Sequence, residues 1–256
     1  MLYIAPRYLY KYKSIARPVD FERAIQIIET GDIYTSPVDQ LNDPMEGLGI
    51  VSMSGGYAGV SLPMSIERMP SRYSAEVKAC RVISLTENPV SPQMWAYYAD
   101  GYKGICLRFG NLPFEVNPVR YTYGPYRTNG LSVDSKHSGD ISQARLLTKH
   151  IDWAHEQEWR AVFPYDFGSD YVYLGDGNPS AVIVGHECDE NDAGRVSESC
   201  KARGIPLYET YIADWTFAVR IIPYGFRPTC TGETLAEQVR RECHKRGVPM
   251  FESWAG

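Results

Sequence analysis

KHIDWAHEQEWRAVFP, residues 149 to 164, is the stretch that decides how this chain is read, because a helical pattern passes into an extended one within it. Two carboxylates, Glu156 and Glu158, stand at the junction. On extended backbone, side chains two residues apart point to the same face, so the pair can act on one ligand together; on a helix they point apart. Trp159, Ala161, Val162 and Phe163 form a short apolar run of the kind a buried strand carries, which favours the extended reading for at least Glu158. A carboxylate beside a tryptophan at the mouth of a sheet suits work on a cation. The plainer alternative is an acidic helix end with Glu158 and Arg160 as solvated surface charges, and an ion pair between Glu158 and Arg160 is the simplest role for the arginine.

Working outward, the order of elements predicts an α+β fold with mixed, mostly antiparallel sheets and a few helices. Leu9 to Lys13 alternates and reads as a strand. Pro18 then opens a helix with Asp20 as its N-cap, Phe21, Ala24, Ile25 and Ile28 as its apolar face and Gly31 as its stop. Ile33 to Ser36 follows as a strand, and Asn42, Asp43 and Pro44 specify a turn. Residues 51 to 73 read as a long loop or lid, and Gly124 to Asp140 as a second polar loop. Between them lie strands at Arg81 to Leu85 and Gly104 to Phe109, flanking a short helix opened by Ser91 and Pro92; a further strand falls near Val119 to Tyr123. Ile141 to about Ala154 reads as a helix, followed by strands at Glu158 to Phe163 and Ala181 to Val184. A helix near Asp192 to Arg203 and strands near Leu207 to Ile212 and Phe217 to Ile222 complete the pattern. A single domain over residues 1–223 is expected, with a helical extension over 224–256 whose helix runs from about Thr231 to Arg246. The basic residues at its end, Arg240, Arg241, Lys245 and Arg246, complement the helix dipole.

Composition narrows the classes. The chain has 256 residues, 44% of them hydrophobic, enough for an ample core. Its formal charge of −5 does not mark the whole surface as a nucleic-acid binder, although a local basic groove is compatible with it. No apolar run suits a secretory signal or a membrane span, so a cytoplasmic protein with no membrane partner is expected. The 6 cysteines include no CxxC pair, which favours reduced thiols over a disulfide framework; His186 and Cys188 alone do not complete a zinc set, and no metal is expected. The 19 tyrosines against 8 phenylalanines supply many rings with a polar tip, suited to half-buried stacking clefts.

Four ordered landmarks, YKYK at 10 to 13, IYTSPVDQLNDPMEG at 33 to 47, MWAYYADGYKGICLRF at 94 to 109 and WAHEQEWR at 153 to 160, resemble the bacterial family of unknown function DUF2971, and AVIVG at 181 to 185 extends the likeness to roughly the first 220 residues. That family supplies no activity. A more distant resemblance, to the ADP-ribosyltransferase superfamily, implies an NAD⁺ site: a residue gripping the dinucleotide on the first strand, a Tyr or Ser on the next, and a late catalytic Glu. Lys11 falls where that superfamily has His or Arg, with Tyr12 beside it; Tyr34 and Ser36 fall on the second strand, and Glu158, preceded by Glu156, on the third.

The resemblance implies a mono-ADP-ribosyltransferase of the toxin or phage-defence kind, with NAD⁺ as co-substrate and an antitoxin as a conceivable partner. Breaking the bond between nicotinamide and ribose builds positive charge on the sugar, which a carboxylate stabilises where it develops. Glu156 then serves the acceptor nucleophile. Tyr12, Tyr34, Trp95 and Tyr98 are the ring candidates for nicotinamide, with core packing the alternative for Trp95, and Arg160 is a diphosphate candidate besides its ion pair; Arg81 and Lys103 are weaker ones. The tyrosine-rich surface favours single-stranded nucleic acid over protein as acceptor. An NAD⁺ glycohydrolase and a non-catalytic nucleic-acid or protein sensor are the rival expectations.

Overall fold

The computed structural model describes residues 6–43, 45, 47, 49–52, 63–64, 77–124, 126–129, 143–164, 167–212, 217–230 and 232–254. In chain order the strands are β1 (Leu9–Lys13), β2 (Asp32–Tyr34), β3 (Ser36–Pro37), β4 (Gly49–Ser52), β5 (Pro63–Met64), β6 (Arg81–Thr86), β7 (Ile105–Phe109) and β8 (Asn117–Pro118). They continue with β9 (Arg120–Thr122), β10 (Tyr126–Asn129), β11 (Thr148–His150), β12 (Glu158–Phe163), β13 (Tyr171–Tyr173), β14 (Ala181–Val184), β15 (Leu207–Ile212) and β16 (Val219–Pro223). The helices are α1 (Pro18–Thr30), α2 (Pro92–Tyr98), α3 (Glu190–Arg203) and α4 (Leu235–Arg246). This is an α+β chain whose strand pairings are mixed and mostly antiparallel. It divides into two compact units, the first built on Tyr34–Ser84 and Phe114–Val172, the second on Pro6–Ile33, Leu85–Pro113 and Tyr173–Gly256.

In the first unit β3 runs antiparallel to β6, with Ser36 opposite Val82, and β12 lies between β6 and β8. Trp159 of β12 faces Pro118 of β8. Val38, Val77, Cys80, Val82 and Leu146 form a small core here. Two expectations are corrected. The helix expected from Ile141 to Ala154 is a short helical turn at 143–146, then β11, then a 3₁₀ stretch at Ile151–Glu156. The cause is tertiary: β11 pairs parallel with β9, Lys149 opposite Tyr121, and the ladder holds backbone that would otherwise coil. The second concerns the polar segment from Gly124 to Asp140. Within it Tyr126–Asn129 is a strand parallel to β4, and residues 125 and 130–140 lie outside the described residues, as does most of the loop expected over 51 to 73. In the Asn-Asp-Pro turn, Asp43 accepts the Met45 amide at 2.9 Å through its side chain and is buried, so it shapes the turn.

In the second unit the order is β16, β15, β14, β7, β1, followed by the end of β6. Every residue of β7 is buried, the mark of a central strand covered on both faces. Tyr10 of β1 lies opposite Arg108 of β7, and Arg108 opposite Ala181 of β14. One core cluster gathers Tyr10, Tyr12, Trp95, Cys106, Ile183, Tyr208, Ile221 and Phe251. On α1 the expected apolar face is buried, but the N-cap position belongs to Arg17, without a side-chain cap. Pro18 presets the first helical turn, and Asp20 sits inside it, paired to Arg17 at 2.6 Å. α3 starts two residues earlier than expected because Asp189 caps it, accepting the Asn191 amide at 2.9 Å. α4 starts four residues later than expected, where Thr234 and Glu237 form a capping box.

Candidate functional site

The site lies in the first unit and grows from a break in regular structure. The 3₁₀ stretch ends at Gln157, which adopts the left-handed conformation at φ 45° and ψ 50°, and β12 begins with Glu158. Glu158 is extended, as the sequence favoured, while Glu156 closes the 3₁₀ stretch, so the two do not share a strand. They nevertheless converge, because the left-handed residue swings the chain so that both carboxylates reach one ammonium. Lys149 Nζ is 2.5 Å from Glu156 Oε2 and 3.3 Å from Glu158 Oε2.

Arg160, two residues along β12 and on the same face, grips Glu158 from the other side. Its Nε donates to Oε1 at 2.6 Å and its Nη2 to Oε2 at 2.9 Å, while Nη1 donates to the Leu146 carbonyl at 2.7 Å. Two cations and two anions are thus packed together with 6% exposure for Lys149, 3% for Glu156, 5% for Glu158 and 1% for Arg160. These are not solvated surface charges. Balanced charge makes such burial tolerable, since an unpaired ion there would be strongly disfavoured.

Neighbours complete the setting. The Glu158 amide donates to the Tyr121 hydroxyl at 2.7 Å, and the Lys149 ammonium stands 4.6 Å from the centre of the Trp153 ring, a cation–π contact. Burial raises the Glu158 carboxyl, but Arg160 first, then Lys149, with a hydrogen bond from Ser84, overcome that and hold it below the ordinary carboxylate range. Burial pushes the Tyr121 phenol well above its usual value. The site holds an ionised glutamate in a water-poor environment.

Of the residues singled out in the sequence, Glu156, Glu158 and Arg160 come together here. Tyr34 and Ser36 lie in the same unit but elsewhere: the Tyr34 ring meets Tyr171 edge-on at 5.6 Å and carries the Arg81 guanidinium 5.3 Å from its centre. Arg81 also pairs with Asp170 at 2.9 Å. Lys11, Tyr12, Trp95 and Tyr98 belong to the second unit. Tyr12 is buried, donates its hydroxyl to the Asn88 carbonyl at 2.8 Å and meets Trp95 edge-on. Trp95 is fully buried, donates Nε1–H to the Pro89 carbonyl at 3.0 Å and stacks on Tyr102; Tyr98 packs against the same cluster, and Lys11 is half-buried opposite Leu107. Three members of the charged site, Lys149, Tyr121 and Ser84, were not foreseen. Lys149 stands at the head of the deciding stretch, but the helix expected there hid the strand pairing that delivers it; nothing local to Tyr121 or Ser84 signals a role.

Among the described residues no group of three or more His, Cys, Asp or Glu side chains is placed to hold a metal ion, and no described helix is long and apolar enough to cross a membrane. Comparison of the chain with protein-family models, with curated proteins and with solved structures returns no match.

Proposed function

We propose that this chain is an NAD⁺-dependent mono-ADP-ribosyltransferase of the toxin or phage-defence kind, built on an ADP-ribosyltransferase-like core. The observation that carries the reading is Glu158: a buried carboxylate held ionised beside a second carboxylate. In the reaction the bond between ribose C1′ and the nicotinamide nitrogen breaks, its electron pair neutralises the pyridinium, and positive charge spreads over C1′ and the ring oxygen. Glu158 stabilises that cation, and a low-dielectric setting strengthens the effect. The acceptor nucleophile then bonds to C1′ while Glu156 takes its proton. Tyr34 and Ser36, in the same unit as Glu158, are the pocket candidates. Single-stranded nucleic acid is the favoured acceptor because stacking on tyrosines needs unpaired bases.

One observation favours a second reading. Both oxygens of Glu158 are already engaged by Arg160 and Lys149, as expected of a structural ion cluster in a non-catalytic binding protein. The discriminating experiment incubates the protein with NAD⁺ labelled in the adenylate and, separately, RNA, DNA and cell protein. Label retained by a macromolecule, lost in a folded Glu158→Gln variant by a factor of about 10²–10³, supports the transferase. Nicotinamide release without labelled macromolecule indicates a glycohydrolase, and no release at all defeats both enzymes in favour of the binding protein.

A further inference from the structure

We infer that residues 249–254 are an internal ligand: they fill a ready-made site on the second unit for a peptide that presents an aromatic ring followed by a carboxylate. The site takes such a segment from a partner protein once its own is displaced, whether or not the chain is a transferase. Its foundation is Arg108, buried on β7, the strand between β1 and β14. Ser180, just ahead of β14, fixes two of the guanidinium nitrogens: Nε donates to the Ser180 hydroxyl at 3.1 Å and Nη2 to its carbonyl at 3.2 Å. Ser180 is held in turn, since its amide donates to the Arg108 carbonyl at 2.8 Å. The third nitrogen, Nη1, donates to Glu252 Oε2 at 2.8 Å, and Tyr10 on β1 donates its hydroxyl to Oε1 of the same carboxylate.

The ring before the carboxylate has a place of its own. Phe251 is buried, edge-on to Tyr208 of β15 at 5.0 Å and tilted against Tyr10 at 6.2 Å. The Arg108 guanidinium stands 4.3 Å from the centre of the Tyr8 ring and 5.2 Å from that of Phe251, so one ring of the site and one of the segment both meet it. The Tyr208 hydroxyl donates to the Pro249 carbonyl at 2.7 Å, a contact that any residue type there would offer. Strand ladders position the receiving side chains: Tyr10 lies opposite Arg108, and Tyr208 lies between Ile183 and Pro223. The Glu252 side chain is 34% exposed, so the carboxylate is the part that solvent reaches and the place where displacement begins. A buried guanidinium deprived of its carboxylate is strongly disfavoured, so release of Glu252 calls for another anion at the same point. An aromatic–acidic segment of a partner supplies that anion and the ring together.

The test uses the full-length double variant Phe251→Ala with Glu252→Ala, which empties the site, and a fluorescently labelled peptide VPMFESW, residues 248–254 of the chain, as the probe. Anisotropy measures binding and thermal melts measure stability. The emptied variant should bind the peptide, and its melting temperature should rise with peptide concentration, as it does for a ligand of the folded state. The parent, its site filled, should bind at least about tenfold more weakly. Peptides carrying Phe251→Ala or Glu252→Gln should each lose about tenfold or more in affinity, the size of one buried ring or one charge-assisted hydrogen bond. Adding Arg108→Met or the milder Tyr10→Phe to the emptied variant should reduce the preference for Glu over Gln while leaving that for Phe over Ala, a split that general destabilisation does not produce. If the emptied variant folds only when refolded with the peptide, binding in trans is shown by the refolding itself. Failure to fold with the peptide present, no binding by the folded variant, equal binding by the parent, or a Glu preference untouched by both added substitutions overturns the inference. A concentration-dependent dimer of the parent that the emptied variant lacks would assign the site to a second copy of this chain and overturn the partner.

Discussion

Arg160 and Glu158 stand two residues apart on one strand and are joined by two parallel hydrogen bonds, Nε to Oε1 at 2.6 Å and Nη2 to Oε2 at 2.9 Å, with neither side chain reaching solvent. The same-face rule of a strand, applied to an acid and a base, has produced a two-pronged ion pair inside the first unit.

Removing the guanidinium should therefore do more than remove one contact. Arg160→Met leaves the Glu158 carboxylate buried against a single ammonium, and a broken buried pair typically costs about 3–5 kcal/mol. Glu158→Met combined with Arg160→Met should recover most of that loss. Urea denaturation midpoints compare the three proteins, and a double variant no more stable than the single one would show that the pair is not the source of the loss.

The acid sensitivity of the fold has a definite sign. Glu158 is held below the ordinary range by Arg160 and Lys149 against the opposing effect of burial. A carboxyl whose folded value is depressed contributes stability above its unfolded value, about 4.3, and that contribution is lost as pH falls from there through the folded value. Thermal melts from pH 6 downward, run on the parent and on Glu158→Gln, should converge as acid is added. Parallel curves over the whole acid range would contradict the assignment.

Trp95 should behave as core. It is fully buried, stacked on Tyr102 and edge-on to Tyr12, so Trp95→Ala should cost about 3–5 kcal/mol in stability. A variant that melts with the parent yet binds NAD⁺ more weakly would instead make Trp95 a ligand contact.

Two glycines of the second unit should respond oppositely to a single methyl. A Cβ on Gly185 would stand 1.9 Å from the Tyr102 carbonyl oxygen, in a backbone approach that cannot open without breaking the hydrogen bond the Gly185 amide donates to the Gly104 carbonyl. Gly185→Ala should fail to accumulate as folded protein. Gly194 lies within α3 with open space where its Cβ would be, so Gly194→Ala should stabilise by about 0.5–1 kcal/mol. Circular dichroism melts of both variants check the pair, and equal destabilisation would refute the distinction.

The α+β class, most of the described strands and the helices α1 to α4 were legible in the chain because their signals are local. The apolar face of α1 recurs at helical spacing, Gly31, Gly204 and Gly247 end helices in the left-handed conformation, and the run after Glu158 is apolar enough to mark a buried strand. Capping was read less well: Pro18 displaced the expected role of Asp20, since a proline fixes the first turn whatever follows it. The pairing of Glu158 with Arg160 was also foreseeable, because it needs only the two-residue period of one strand.

What lay beyond the sequence was every relationship made across the chain. The periodicity of residues 141 to 154 suggests a helix, yet the parallel ladder between β11 and β9 makes Lys149 part of a strand and places it between two carboxylates. Tyr121 and Ser84 reach Glu158 from strands 37 and 74 residues away in sequence, by the differences of their numbers. Local propensity amounts to tenths of a kcal/mol per residue, whereas the ladder bonds and the pairing of buried charge each contribute on the order of 1 kcal/mol or more. Where the two disagree, tertiary pairing prevails, and it decided which ammonium stands beside Glu156.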